Sequence, residues 1–180
     1  AMAEETLEGA YTELGADFGY LPEDPVRLEI YPRTTSLANV SSLSVEAIET
    51  SGTIALCKYN RLMITSPRAL VRGYSWRDTL AHEYVHYILQ RLTGTRIPIW
   101  LHEGLAKFYE SRWRGTHDHQ LLPQSSDLLA RRLEANDLIT FEQMHPSMAL
   151  LPSQEDTGTA FAEVFTVVEY LHNTHGASGI

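Results

Sequence analysis

The run His82-Glu83-Tyr84-Val85-His86 holds side chains whose types and spacing can do chemistry. Two histidines four residues apart on a helix stand one turn above the other, about 40° apart around the axis. Both imidazoles can then reach one zinc ion at about 2.0–2.1 Å. The glutamate beside the first histidine projects about 100° round the same helix, where it can take a proton from a zinc-activated water. The residues therefore suit metal-assisted hydrolysis, with His82 and His86 as ligands and Glu83 as general base. Five residues recur by chance, so the surrounding elements must supply the context.

The first element required is the helix itself, expected over 75–92. Ser75 with Asp78 three residues on resembles a capping box, and Gly94 stands where a helix ends. Thr79, His82, Glu83, His86, Gln90 and Thr93 fall on one narrow stripe of the wheel. Leu80, Ala81, Tyr84, Val85, Ile88, Leu89 and Leu92 fall opposite. A solvated helix would carry a broader charged face, and a fully buried one would lack the stripe.

The second element is a following helix, expected over 98–113 and opened by Pro98. It carries Trp100-Leu101-His102-Glu103-Gly104-Leu105-Ala106. The short Thr93–Arg96 turn lets it fold back on its predecessor. Gly104 and Ala106 are small enough for close helix approach.

Taken together, His82-Glu83-Tyr84-Val85-His86 and Trp100-Leu101-His102-Glu103-Gly104-Leu105-Ala106 resemble the gluzincin metallopeptidases, specifically their peptidase-MA-like domains, over about residues 75–110. The resemblance implies zinc as cofactor, His82, His86 and Glu103 as its ligands, and Glu83 as base. It also implies a zincin fold, in which a small mixed or antiparallel sheet lies over the active-site helix and its edge strand pairs with an extended peptide. Sixteen residues separate His86 from Glu103, fewer than in the larger aminopeptidase branch, so an endopeptidase-like reading is preferred. Phe161 stands where similar domains carry a tyrosine. A catalytically degenerate zincin acting as a binding module, and a chance motif without metal, remain the rival readings.

Other residues have competing roles. His102, beside Glu103, is the alternative third ligand, although neighbours on a helix face different ways. Glu110 lies seven residues after Glu103 on the same helix face and could hydrogen-bond a ligand histidine, although a solvated glutamate is the preferred reading. His117, Asp118 and His119 read as a polar loop, with a second metal as the alternative. His145, His172 and His175 are candidate proton donors. Cys57, the only cysteine, reads as a small buried apolar residue and excludes a disulfide within the chain. Trp76 and Trp100 read as core anchors.

The rest of the chain reads as α+β. A helix over 4–19, with Leu7, Tyr11, Leu14 and Phe18 as its apolar face, precedes strands over 26–31, 53–58 and 62–65. Short helical pieces near 126–135 and 140–144 and a last helix over 158–174 form a helical C-terminal half. The grouping is one domain, 1–180: helix and sheet over 4–67, active-site helices over 75–113 and the helical part over 126–175. A net charge of −9 without a basic face argues against nucleic acid; a peptide or protein partner is what the resemblance implies. No stretch approaches the roughly 18 apolar residues that span a bilayer. No signal peptide is legible, and the compartment stays undecided between bacterial cell envelope and cytoplasm. An end without a clear stop, at Gly176–Ile180, suggests a piece of a longer polypeptide.

Overall fold

The computed structural model describes residues 2–70, 73–116 and 120–176. It is α+β, with six α-helices and a three-stranded mixed sheet among the described residues. The strands are β1 (Arg27–Tyr31), β2 (Ala55–Lys58) and β3 (Arg61–Thr65), in the order β1-β3-β2. β2 and β3 form an antiparallel hairpin with Lys58 opposite Arg61. Its turn residues Tyr59 and Asn60 both have positive φ, 55° and 58°, which matches the twist of a tight hairpin. β1 joins the far side of β3 in parallel, with Arg27 opposite Arg61. A parallel pair needs a long crossover, here the 3₁₀ turn Thr34–Asn39, helix α2 (Val45–Ser51) and β2.

Helix α3 (Trp76–Thr93) lies against β2 and β3. Leu80, Val85 and Ile88 on it are 0–1% exposed. Burial of each stabilises the fold by about 1.5–3 kcal/mol. Leu92 departs from the expected face and is 41% exposed, because the helix runs beyond the core at its last turn. The expected capping box does not form. Ser75 makes no side-chain cap, and Asp78 instead accepts from Trp113 Nε1 at 2.9 Å and pairs with Arg114 at 2.6 Å. Trp76 anchors the start by donating to the Thr65 carbonyl at 3.1 Å, and Gly94, at φ 62°, ends the helix.

The first helix, α1 (Met2–Phe18), buries Thr6, Ala10, Leu14 and Gly15, whereas Tyr11 stays exposed. The buried line is rotated from the expected one because small residues meet the backbone of 112–114. A Cβ on Gly9 would lie 2.5 Å from the Trp113 carbonyl oxygen. Helix α4 (Ile99–Tyr109) ends earlier than expected. The chain there bends into a 3₁₀ turn, Arg112–Arg114, as Arg112 pairs with Asp17 at 2.7 Å and Glu13 at 2.5 Å on α1.

Helix α5 (Pro123–Glu134) has no buried residue and packs on α6 (Gln154–His175). Residues 140–144 form a turn, not the expected helix. Thr140 and Gln143 exchange backbone-to-side-chain bonds at 2.8 and 3.3 Å, and the Phe141 ring stacks on Trp100 at 4.6 Å. Trp76 is buried, and Trp100 packs beside the smaller cluster of Ile139, Met144 and Met148. α6 starts four residues before the expected point, capped by Ser153 accepting from the Asp156 N–H at 3.0 Å. No described helix is long and apolar enough to cross a membrane.

Candidate metal centre

α3 and α4 bring three side chains to one point. His82 Nε2 and His86 Nε2 are 3.1 Å apart. Glu103 Oε2 lies 3.5 Å from the first and 3.3 Å from the second. Ligands at 2.0–2.1 Å in tetrahedral array are separated by about 3.3–3.4 Å. The three contacts therefore have the dimensions of one face of a zinc-sized tetrahedron.

The other ring nitrogens are also engaged. His82 Nδ1 is 3.3 Å from Glu110 Oε2, and the remaining oxygen of Glu110 meets Lys107 Nζ at 2.5 Å. His86 Nδ1 is 2.6 Å from His102 Nδ1, with the two rings stacked at 4.6 Å. His102 thus sits behind His86, not in the cluster of three. Its role as a hydrogen-bond partner was not foreseen. The signal is its place immediately before Glu103: one step back rotates the side chain by about 100°, away from the convergence point and onto His86.

The electrostatics follow from burial. Glu83 is 5% exposed, and burial raises its carboxyl above the ordinary range. Its Oε2 is buried without a hydrogen-bond partner. Burial also pushes Glu103 up, but the two histidines outweigh it and hold the carboxyl well below the usual range. Burial disfavours the His82 imidazolium, yet Glu103 and Glu110 overturn this and raise it to about 10. His102 is pushed down to about 4 by burial and by His86, so it stays neutral at neutral pH. Its Nδ1 can therefore accept a hydrogen bond from His86 Nδ1–H, which leaves His86 Nε2 free as a ligand.

Zinc would fit this donor set on three counts. Two imidazoles and a carboxylate are its usual ligands in hydrolytic sites. With both histidines neutral, as ligands must be, the carboxylates of Glu83, Glu103 and Glu110 against the Lys107 ammonium leave two negative charges, which a divalent cation balances. The Glu83 oxygen, buried without a partner, lacks a hydrogen bond that a water on such an ion would supply.

The cluster opens on a cavity of about 1110 Å³. Its walls include β2, Thr79, Tyr87 and Gln90 of α3, the stretch Pro146–Leu150, and Phe161 of α6. The Phe161 ring stands edge-on to His82 at 5.9 Å. Cys57 lines the same wall, and burial pushes its thiol up, away from nucleophilic form. His145, His172 and His175 do not line the cavity, and Tyr170 is 66% exposed. His117, Asp118 and His119 lie outside the described residues.

Compared with known sequences, residues 6–180 match the model of the Peptidase MA superfamily. No curated protein and no solved structure gives a significant match. With an α+β fold, a candidate His82-His86-Glu103 metal cluster and a family match over nearly all of its length, the chain belongs to the peptidase MA superfamily.

Proposed function

We propose that this chain, as one domain over 1–180, is a zinc-dependent endopeptidase-like enzyme that hydrolyses peptide bonds. His82, His86 and Glu103 are the zinc ligands, and Glu83 is the general base. The observation that carries the reading is the convergence of three ligand atoms within 3.5 Å of one another, next in the chain to a Glu83 carboxylate with one partnerless oxygen, the four residues all lining one open cavity. Zinc, when bound, supplies Lewis acidity that polarises a carbonyl and lowers the pKa of water. Glu83 accepts a proton as the water oxygen bonds to the scissile carbonyl carbon. It then delivers that proton to the leaving nitrogen as the C–N bond breaks. Glu110 and His102 hold the two imidazoles in the tautomer that presents Nε2. The free edge of β2 can receive an extended substrate backbone.

Glu83→Gln tests this mechanism. The variant should retain zinc and lose peptide cleavage, because the amide cannot accept the proton. Undiminished turnover by Glu83→Gln eliminates the mechanism.

Phe161 favours a second reading, a zinc-containing binding module without turnover. It faces His82 with a ring that offers no hydrogen-bond donor to a developing oxyanion. A zinc-loaded protein that binds peptides and cleaves none of a broad library supports that reading.

A further inference from the structure

The cavity wall carries a cation that the candidate metal centre does not use. Its charged lining residues are Lys58, Glu83, Glu103, Lys107 and Glu110. Lys107 is taken by Glu110. Lys58 ends β2, the edge strand beside the centre, and its Nζ donates to Ser42 Oγ at 2.7 Å. It has no carboxylate partner among the described residues.

Strand alternation sets the direction. Ala55 and Cys57 pack toward the core that contains α3, whereas Leu56 packs on the opposite face with Leu37, Ile48 and Met63. Lys58 shares the face of Leu56. Register then builds a row, because Lys58 stands opposite Arg61 and Arg61 opposite Arg27. Three cations thus cross the sheet at one level. Glu29 answers two of them, at 2.9 Å from Arg27 Nε and 3.0 Å from Arg61 Nη1. Like charges on facing strands repel, and this row keeps an excess of positive charge in a chain of net charge −9.

The next place in the row, beyond Lys58, is the free edge of β2. A peptide laid along that edge would put one side chain directly opposite Lys58, with Cβ atoms about 4.5–5.5 Å apart. Cys57, one residue back, lines the same cavity as Glu83 and the candidate ligands. One residue is about 3.3 Å of strand. We infer that Lys58 selects the substrate by reading a peptide carboxylate one or two residues from the scissile bond. This rests on the peptidase reading above and names the substrate class of that site.

The test uses peptides carrying Glu, Gln or Lys at each of three positions on either side of one cleavable bond, with free or amidated C-termini. Wild type should prefer Glu over Gln by about twofold to fivefold in kcat/KM at a position within two residues of the bond. Lys58→Glu should invert the order in favour of Lys, Lys58→Ala should flatten it, and high salt should weaken it. Amidation distinguishes a side-chain carboxylate from the chain terminus. The same order should appear without turnover when fluorescein-labelled peptides bind the Glu83→Gln variant, followed by anisotropy. Binding that follows the charge at position 58 without any cleavage upholds the role of Lys58 and removes the peptidase reading. A flat profile, absence of peptide binding, or a preference for Glu that survives Lys58→Glu overturns the role of Lys58.

Discussion

Gly104→Ala places a methyl group where α4 crosses α6, one residue after Glu103. A Cβ there would lie 2.8 Å from Val168 Cγ2 and 2.9 Å from the Val164 carbonyl oxygen. On an exposed helix this change would stabilise by about 1 kcal/mol, since alanine is the better helix former. Here the buried Val168 side chain is held in the one rotamer a helix favours and the carbonyl belongs to a helix backbone, so neither gives way easily. Ordinary contact begins at 3.4 Å, so α4 and α6 must part by about half an ångström. Overpacking of this kind costs about 1–3 kcal/mol, and a backbone contact belongs in the upper half of that range. The net expectation is a loss of about 1–2 kcal/mol, measured by urea denaturation of metal-free protein so that ligand linkage does not mask it. The same displacement carries Glu103 away from His82 and His86. Zinc affinity, measured by chelator competition, should fall about tenfold although residue 104 touches no metal. A variant stabilised by about 1 kcal/mol with unchanged zinc affinity would refute the reasoning, because α4 and α6 would then not meet at this distance.

Other substitutions separate the roles around the centre. Glu110→Ala removes the partner of His82 Nδ1 and should weaken zinc binding by about 10- to 100-fold. His102→Ala should do the same for His86, whereas His102→Asn, which keeps an acceptor, should recover most of the affinity in the same competition assay. Were His102 itself a ligand, His102→Asn would fail as His102→Ala does. Far from the site, Arg112→Ala leaves Asp17 and Glu13 without their cation, and urea denaturation should register a loss of about 3 kcal/mol. A loss below about 1 kcal/mol would mean that solvent replaces the ion pairs.

What the sequence made legible is what local periodicity controls. The 76–93 helix and its polar stripe followed from residue spacing, and Thr79, His82, Glu83, His86 and Gln90 all line the cavity. The seven-residue offset of Glu110 from Glu103 allowed a contact with a ligand histidine but favoured a solvated carboxylate, and the structure puts it, at the end of α4, beside His82. Less legible were features set by partners distant in the chain. Asp78 looked like half of a capping box, but Trp113 and Arg114, 35 and 36 residues away, claim it. The strand order β1-β3-β2 depends on a parallel crossover that no short window contains. The first turn of α6 hid in Gln154–Gly158, a polar stretch without apolar period, although Ser153 and Asp156 carried the cap signal. Phe141 turned away from a helix to stack on Trp100, a contact across 41 residues.

The central claim is that one zinc ion is shared by residues 82, 86 and 103. The most direct measurement is a crystal structure of the zinc-loaded protein, with anomalous diffraction recorded on both sides of the zinc absorption edge. A single peak is expected about 2.0–2.1 Å from Nε2 of His82, Nε2 of His86 and a carboxylate oxygen of Glu103, with Glu83 unligated beside it. Absence of a peak at that point, or a peak ligated by His102 in place of Glu103, would contradict it.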